Sequence, residues 1–297
     1  MSKIEYRVAE VSEFEAVAKF VAQKNNAPEH HVGYTGLQEE VVLNDLKQLE
    51  PSPEGHVFLA TVGAQITGVL GLEYDKELGR AWLWGPWVDD EVHWAEVASR
   101  LVAHASEKSP PEIQDYELWC DLKNQRLQDF ALSTGFSKYK IADVLNFPRA
   151  ALSGIDPAPG GSLTKAMEAS FVELHDTLFP GTYFNGRQLI ERQNEENKLI
   201  VQGEGETCFG YAFVRVDKEV DTADIDFVGV ADDHRGKGLG KQLLWSGIDW
   251  IFGFPGIDEV ALIVEDGNDL ALNLYVKSGF VHERRTIAFR KKLEPES

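Results

Sequence analysis

The spacing of apolar and polar positions divides the second half of the chain into a regular series of elements. Residues 163–178 carry Met167, Phe171, Leu174 and Leu178 at helical spacing, followed by a Pro180-Gly181 turn and a second helix from Arg187. Residues 198–216 read as a strand hairpin and residues 223–230, Ala-Asp-Ile-Asp-Phe-Val-Gly-Val, as the next strand. Strand alternation puts Asp224, Asp226, Val228 and Val230 on one face. Leu243, Leu244, Ile248, Ile251 and Phe252 predict an amphipathic helix, and residues 259–264 a strand. Leu270, Ala271 and Leu274 form the stripe of a last helix, which Gly279 ends before Phe280 starts another strand.

The pattern occurs twice. A shift of 144 residues lays Asn268, Gly279 and Phe280 on Asn124, Gly135 and Phe136, and a hairpin-like stretch at 56–74 with Gly68 matches 198–216 with Gly210. Duplication at that period means paired domains, not a solenoid. Residues 147–162 hold three prolines and three glycines and read as a connection. The expected division is a domain at 1–148, a linker at 149–162 and a domain at 163–297.

Composition narrows the class. The chain has 297 residues, 43% of them hydrophobic and 26% charged, which suits a soluble globular protein of two domains. It has no apolar run of about 18 residues and no signal-like start, so a cytoplasmic protein without a membrane role is expected. Cys120 and Cys208 are the only cysteines, one in each half, which fits a reducing compartment. A formal charge of −20 argues against nucleic acid, whose phosphates call for an excess of Lys and Arg, and is compatible with a cationic small substrate.

The most specific stretch is His-Arg-Gly-Lys-Gly-Leu-Gly-Lys at 234–241, between a strand and a helix. Gly236, Gly238 and Gly240 leave backbone N–H groups unshielded at a helix N-terminus, and Arg235, Lys237 and Lys241 add positive charge. The expected ligand is a pyrophosphate. A Walker loop is excluded because Gln242 follows Gly240-Lys241, and a dinucleotide fingerprint because Lys241 stands where its third glycine belongs. Arg235-Gly-Lys-Gly-Leu-Gly240 resembles the acetyl-CoA turn of the GNAT acetyltransferase superfamily, Arg/Gln-x-x-Gly-x-Gly/Ala. A second stretch is also similar to that family: Asn268, Ala271, Leu274, Tyr275, Gly279 and Phe280 fill the pattern Asn-x-x-Ala-x-x-Leu-Tyr-x-x-x-Gly-Phe.

The resemblance implies an α/β (α+β) fold of two tandem GNAT-like domains, each a mixed, mostly antiparallel twisted sheet flanked by helices. It implies an N-acetyltransferase that moves the acetyl group of acetyl-CoA directly to an amine of a small-molecule acceptor, with no metal. The alternative is a non-catalytic acyl-CoA-binding or sensing protein. By the same resemblance the main chain of Val228, Gly229 and Val230 pairs with the pantetheine arm, residues 235–241 (Leu239 among them) hold the pyrophosphate, and Asn268 bonds the pantetheine or caps its helix. Tyr275 is the expected acid for the coenzyme A sulfur. An amine holds its proton near a pKa of ~10.4, so a base is needed; Asp226 is the first candidate and Glu265 the second. Tyr183 and Phe184 are expected to line the acceptor pocket or to anchor a plain turn, and His175 to be solvated or to sit on the helix dipole.

The first half departs from the family at the same places. The shift puts Glu91, Val92, Trp94 and Glu96 where Arg235, Gly236, Gly238 and Gly240 stand, and Ala131 where Tyr275 stands. A degenerate half without acetyl-CoA binding is therefore expected, with Trp82, Trp84, Trp87 and Trp94 near its vacated groove as filling or as an acceptor wall.

Overall fold

The repeat seen in the sequence is carried by the coordinates of the computed structural model, which describes residues 3–89, 92–154 and 160–293. In chain order the first half holds β1 (Glu5–Val8), α1 (Phe14–Asn25), α2 (Glu39–Lys47), β2 (Val57–Val62), β3 (Gln65–Asp75), β4 (Arg80–Val88), α3 (Trp94–Lys108), β5 (Asp115–Asp121), α4 (Gln125–Ser133) and β6 (Ser137–Pro148). The second holds β7 (Gly161–Ser162), α5 (Glu168–Leu178), α6 (Gly186–Glu191), β8 (Asn197–Glu204), β9 (Thr207–Asp217), β10 (Thr222–Val230), α7 (Leu239–Phe252), β11 (Glu259–Glu265), α8 (Asp269–Lys277) and β12 (Val281–Lys292).

From β5 onward the two series superpose at a shift of 144, element end on element end, whereas β3 and β4 match β9 and β10 at 142. Even the hairpin bulges correspond, at Ala60/Thr61 and Gln202/Gly203. The change of period falls between β10 and α7, where residues 231–238 replace a connection of only 89–93. The residue-by-residue match of Arg235, Gly236, Gly238 and Gly240 to Glu91, Val92, Trp94 and Glu96 therefore does not hold in space. Trp94 and Glu96 are the first turn of α3, and Glu91 lies outside the described residues.

The chain forms two compact units, residues 1–142 with 285–297, and residues 143–284. Their borders differ from a simple division at a linker. Strand order is β1-β2-β3-β4-β5-β12 in the first unit and β6-β11-β10-β9-β8-β7 in the second. β12 pairs antiparallel with β5 from Thr286↔Asp121 to Lys292↔Asp115, which buries Ile287 and Phe289 in the first unit's core with Phe14, Phe58, Leu70, Leu83 and Leu118. The end of β6 gives Leu145 and Phe147 to the second unit's core. Arg149, placed in the linker by sequence, donates to the carbonyls of Ile257 (2.6 Å), Phe252 (2.9 Å) and Phe254, closing the C-terminal end of α7. Residues 155–159 of the expected linker lie outside the described residues.

Each face of the second unit's sheet is covered. Leu243, Leu244, Ile248 and Ile251 of α7 pack on Val214, Ile225, Val260 and Leu262, and Phe171 of α5 with Leu189 of α6 packs on Tyr211, Phe213 and Phe227. The stripe of α8 is set differently from its prediction: Leu270 is 82% exposed, and Ala271, Leu274 and Tyr275 face inward.

Phe289→Ala is expected to destabilise the first unit by about 3–5 kcal/mol, the usual cost of emptying a buried phenylalanine site, measured by urea unfolding. A chain beginning at residue 155 lacks Leu145 and Phe147 and is expected to be insoluble or unfolded.

Candidate active site

β10 and β11 run parallel and pair only at Asp224↔Ala261 and Ile225↔Leu262. Both strands continue beyond, to Val230 and Glu265, without further pairing to each other among the described residues. On its other edge β10 stays bonded to β9, and the next residue, Ala231, donates its N–H to the Phe209 carbonyl (2.8 Å). Alternation then turns the main-chain groups of Gly229 toward β9 and those of Val228 and Val230 toward the opening. Gly229 has no room for a side chain, since a Cβ there would stand 2.7 Å from the Tyr211 ring.

The turn that follows is built from its own charges. Asp232–His234 is a short 3-10 turn whose His234 ring stacks on Phe209 at 4.1 Å and bonds Asp233 (2.7 Å). Arg235 is paired with Asp232 (2.9 Å), and its Nε donates to the Val230 carbonyl (3.1 Å). Lys237 donates to the Asp233 carbonyl (2.8 Å), and the Lys241 ammonium lies 4.1 Å from the centre of the Trp245 ring. Gly236 and Gly238 have φ of +75° and +83°, a conformation that L side chains rarely adopt, and open space surrounds both. Gly238 is the N-cap of α7, with no side-chain cap and no acidic residue in the first turn, so that turn's N–H donors and its partial positive charge face outward. A Cβ added at Gly240 would stand 3.5 Å from Leu274 and 3.7 Å from Val230, so side chains of α8 and β10 come close to the turn at this point.

α8 starts beside this turn. The Asn268 side chain accepts the Ala271 N–H (3.2 Å), so the capping role expected for it is made. Tyr275 is buried against Phe280 (5.8 Å), and burial pushes its phenol up to about 12. No hydrogen bond to its hydroxyl is present among the described residues. Glu265 ends β11 with an exposed side chain, and its carbonyl accepts the Asn268 N–H (3.1 Å).

Asp226 occupies a place that strict alternation does not give. A β-bulge falls between Ile225 and Phe227 and reverses the strand's facing: Ala223 and Ile225 pack toward α7, Phe227 packs toward α5, and Val228 and Val230 return to the α7 side. Asp224, opposite Arg215 in the register, is therefore not on the face of Val228 and Val230. At the bulge Asp226 forms a two-pronged pair with Arg215 (2.5 and 3.2 Å), and Asp224 stands 3.5 Å from the same guanidinium. Both carboxylates hold Arg215 well above its ordinary pKa, Asp226 most strongly. Desolvation and then Asp226 also hold the nearby Tyr183 phenol above its ordinary value. The Tyr183 ring lies 5.3 Å from Phe227 and 4.8 Å from Phe184. Arg215 went unread in the sequence: it lies at the end of the predicted 198–216 hairpin, and only the strand register sets it opposite Asp224 of the next strand.

His175 is fully buried, not solvated. Its Nε2 faces the Phe184 carbonyl (2.8 Å), which can only accept, so Nε2 carries the proton and Nδ1 accepts from the Tyr211 hydroxyl (2.5 Å). With both nitrogens engaged it ties α5 to the residue after Tyr183. Cys208 and Cys120 are free and buried, their thiols pushed up to about 11 and 12 by desolvation, which makes them inert.

The first unit has the same parting strands, with β4 and β5 paired only from Arg80↔Asp115 to Trp82↔Glu117. There the chain itself fills the opening. Val32 bridges Cys120, Gly33 donates to the Trp119 carbonyl (3.0 Å), and Asp121 donates to the His31 carbonyl (3.2 Å). Buried Asn25 locks the segment through the Val32 N–H (2.7 Å), and Trp87 donates to the same Asn25 oxygen (3.0 Å).

Two tandem units of this topology, one with a glycine turn on an open strand edge, make up a fold that recurs among solved structures. The model of the acetyltransferase (GNAT) family matches residues 165–280, so this part of the chain is similar to that family. A solved GCN5-related N-acetyltransferase from Sphaerobacter thermophilus is similar at a TM-score of 0.74 and 15% identity, over 99% of this chain and 97% of that one. A tandem GNAT protein from the clavulanic acid biosynthesis pathway is similar at 0.70 and 15%, over 99% and 100%. Both likenesses concern the fold. A mycothiol acetyltransferase from Corynebacterium aurimucosum is 31% identical over 128 residues, 42% of this chain but only 38% of that protein. Another from Stackebrandtia nassauensis is 23% identical over 283 residues, 88% of this chain and 90% of that one. Among the described residues no helix is long and apolar enough to cross a membrane, and no group of three or more His, Cys, Asp or Glu could hold a metal ion.

The folded pKa of His175 is lowered, chiefly by desolvation, so the unfolded chain binds its proton first. Stability is expected to be lost as pH falls below about 6.5, by at most ~1.4 kcal/mol per pH unit from this group. The difference in unfolding free energy between the native chain and His175→Gln, followed from neutral to acid pH, checks it: the gap should narrow as the solution is acidified.

Proposed function

We propose that the second unit transfers the acetyl group of acetyl-CoA directly to an amine of a small molecule. The observation that carries this reading is the open, positive-φ glycine turn at the N-terminus of α7 beside the unpaired edge of β10. The residues fit a diphosphate linked to an amide-bearing arm. The N–H groups of 236–241 offer donors to phosphate oxygens, and the edge groups of Val228 and Val230 offer a strand-like partner to the arm's amides. Acetyl-CoA supplies an activated thioester when bound. A β10 N–H at the opening polarises the acyl carbonyl, and the Tyr275 hydroxyl, still protonated at neutral pH, holds the proton for the departing sulfur.

Of the two candidate bases, Asp226 has its oxygens in the Arg215 fork and is not presented to an incoming amine. We assign it to positioning Arg215 and Tyr183, and assign proton removal to Glu265, exposed at the end of β11. The relatives named mycothiol acetyltransferase support small-molecule acetylation and make that reaction the first to assay. A cytoplasmic site of action fits two unpaired thiols.

Calorimetric titration with acetyl-CoA tests the site: one binding event per chain is expected, and Gly238→Trp should abolish it. Two equal sites, or binding retained in that variant, would overturn the assignment. Thiol release from acetyl-CoA across a panel of amines tests the activity. Tyr275→Phe should keep coenzyme affinity while lowering turnover by roughly 10²–10⁴-fold, the range of a general acid; an unchanged rate would return Tyr275 to a structural role.

A further inference from the structure

His175 is a polar residue where the packing asks for an apolar one. It is fully buried in the last turn of α5, its ring centre 6.2 Å from Phe171, 5.5 Å from Phe179 and 4.9 Å from Phe227. A leucine or phenylalanine would fill that space without the cost of desolvating an imidazole. What the imidazole adds is two directed bonds, Nε2–H to the Phe184 carbonyl and Nδ1 from the Tyr211 hydroxyl. Neither bond passes a proton to a substrate. A main-chain carbonyl ends the chain on one side, and on the other Tyr211 is itself fully buried. The pair therefore fixes positions and moves no charge.

Both ends of this link stand at the candidate site. Tyr211 is opposite Gly229 in the register, and its ring lies against Gly229 together with Leu178 of α5. A Cβ at Gly229 would stand 2.7 Å from the one and 2.9 Å from the other. Gly229 is the residue between the two open edge positions, Val228 and Val230. At the other end Phe184 follows Tyr183, whose ring is 40% exposed and rests against Phe227, the residue before Val228. Asp176, next to His175, accepts the Gly186 N–H (2.8 Å), so the segment is held on both sides of Asn185.

We propose that His175 is a positioning residue, which couples occupancy of the β10 edge to the placing of Tyr183 through Tyr211 and Phe184. The inference rests on the coenzyme site proposed above. An arm whose diphosphate lies at 236–241 and whose amides meet Val230 and then Val228 ends nearest Phe227, beside Tyr183. Pairing along that edge pins Gly229, and the Tyr211 ring against it is fixed as well. The Tyr211 hydroxyl then holds the imidazole that holds Phe184, a chain of packed and hydrogen-bonded groups that carries the coupling. The separation it sets matters because a misplacement of about 1 Å between reacting groups lowers the rate roughly 10²-fold.

The test uses the full chain labelled with 4-fluorophenylalanine, which leaves Tyr211 and His175 unaltered, and fluorine NMR with acetyl-CoA as the probe. Phe209, stacked on His234 of the glycine turn, reports the coenzyme directly, and Phe184 reports the linked segment. The two signals are assigned by Phe209→Leu and Phe184→Leu. Acetyl-CoA should shift both along one saturation curve. Tyr211→Phe keeps a ring against Gly229 and removes the bond to His175; it should leave the Phe209 response in place and abolish that of Phe184. His175→Leu, apolar among apolar neighbours, is the second variant and should do the same. His175→Gln, which offers a donor and an acceptor again, should restore the Phe184 response. A residue that merely filled the core would give no such loss with leucine and no such rescue with glutamine. A Phe184 response that persists in Tyr211→Phe or His175→Leu, or that is absent from the native chain while Phe209 responds, overturns the proposal and leaves the coenzyme site standing. No saturable response at Phe209 in the native chain overturns the coenzyme site and the proposal with it.

Discussion

Two parallel strands that pair over two or three residues and then part create an obligation. Main-chain N–H and C=O groups along the parted edges need partners, because a buried backbone group left alone costs more than a hydrogen bond returns. Each unit meets this in its own way. In the first, His31 to Gly33 lie against β5 and supply the missing strand, with Asn25 and Trp87 holding them in place. In the second, the Val230 carbonyl takes a bond from Arg235, and the edge of Val228 and Val230 stays open beside the uncapped N-terminus of α7. The glycines of 236–240 matter because they keep that junction of helix end and strand edge clear. A turn without them, on a strand edge already filled, has nothing left to offer a diphosphate.

This explains which parts of the molecule were legible from sequence. Helix caps and stops depend on local rules, so Asn124 and Asn268, with Gly135 and Gly279 behind them, could be read directly, and the period of the repeat with them. The glycine turn was legible for the same reason, since φ above zero selects its own residue. Alternation failed at Asp226, because a bulge adds one residue to one strand and no composition marks it in advance. The position-by-position comparison of the two turns failed because the repeat changes length there. The filling of the first unit's opening by residues 31–33 was equally hidden, since a non-local bridge from a loop leaves no periodicity.

The division of the chain follows the same logic. A strand's side chains report that one face must be buried, but not in which core. The pattern around Ile287 and Phe289 is as good for either unit, and pairing with β5 decides it. Arg149 likewise reads as part of a Pro/Gly-rich connection until the last residue of α7 and the segment after it present three carbonyls to its guanidinium.

Equivalent positions of the two units then show how one backbone carries different chemistry. Under the shift of 142, Arg215, Asp224 and Asp226 of the second unit fall on Glu73, Trp82 and Trp84 of the first. The polar link between neighbouring strands is kept in both, as Arg215 to Asp226 and as Trp84 to Glu73, while its charge is reversed on β3 and exchanged for an indole on β4. Each link joins the same two strands on the side away from the α7 or α3 core. Tyr183 lies near one and Tyr34 stacks on the other, each in the connection between its unit's first two helices. That face tolerates such exchange because the core behind it, Leu72, Leu83 and Leu118 or Ile225, Val260 and Leu262, already supplies the burial that holds the sheet. The side chains on the open face are thus set independently of the parted strand edges, and a unit can fill its edge, as the first does with residues 31–33, while the polar link across the face is kept.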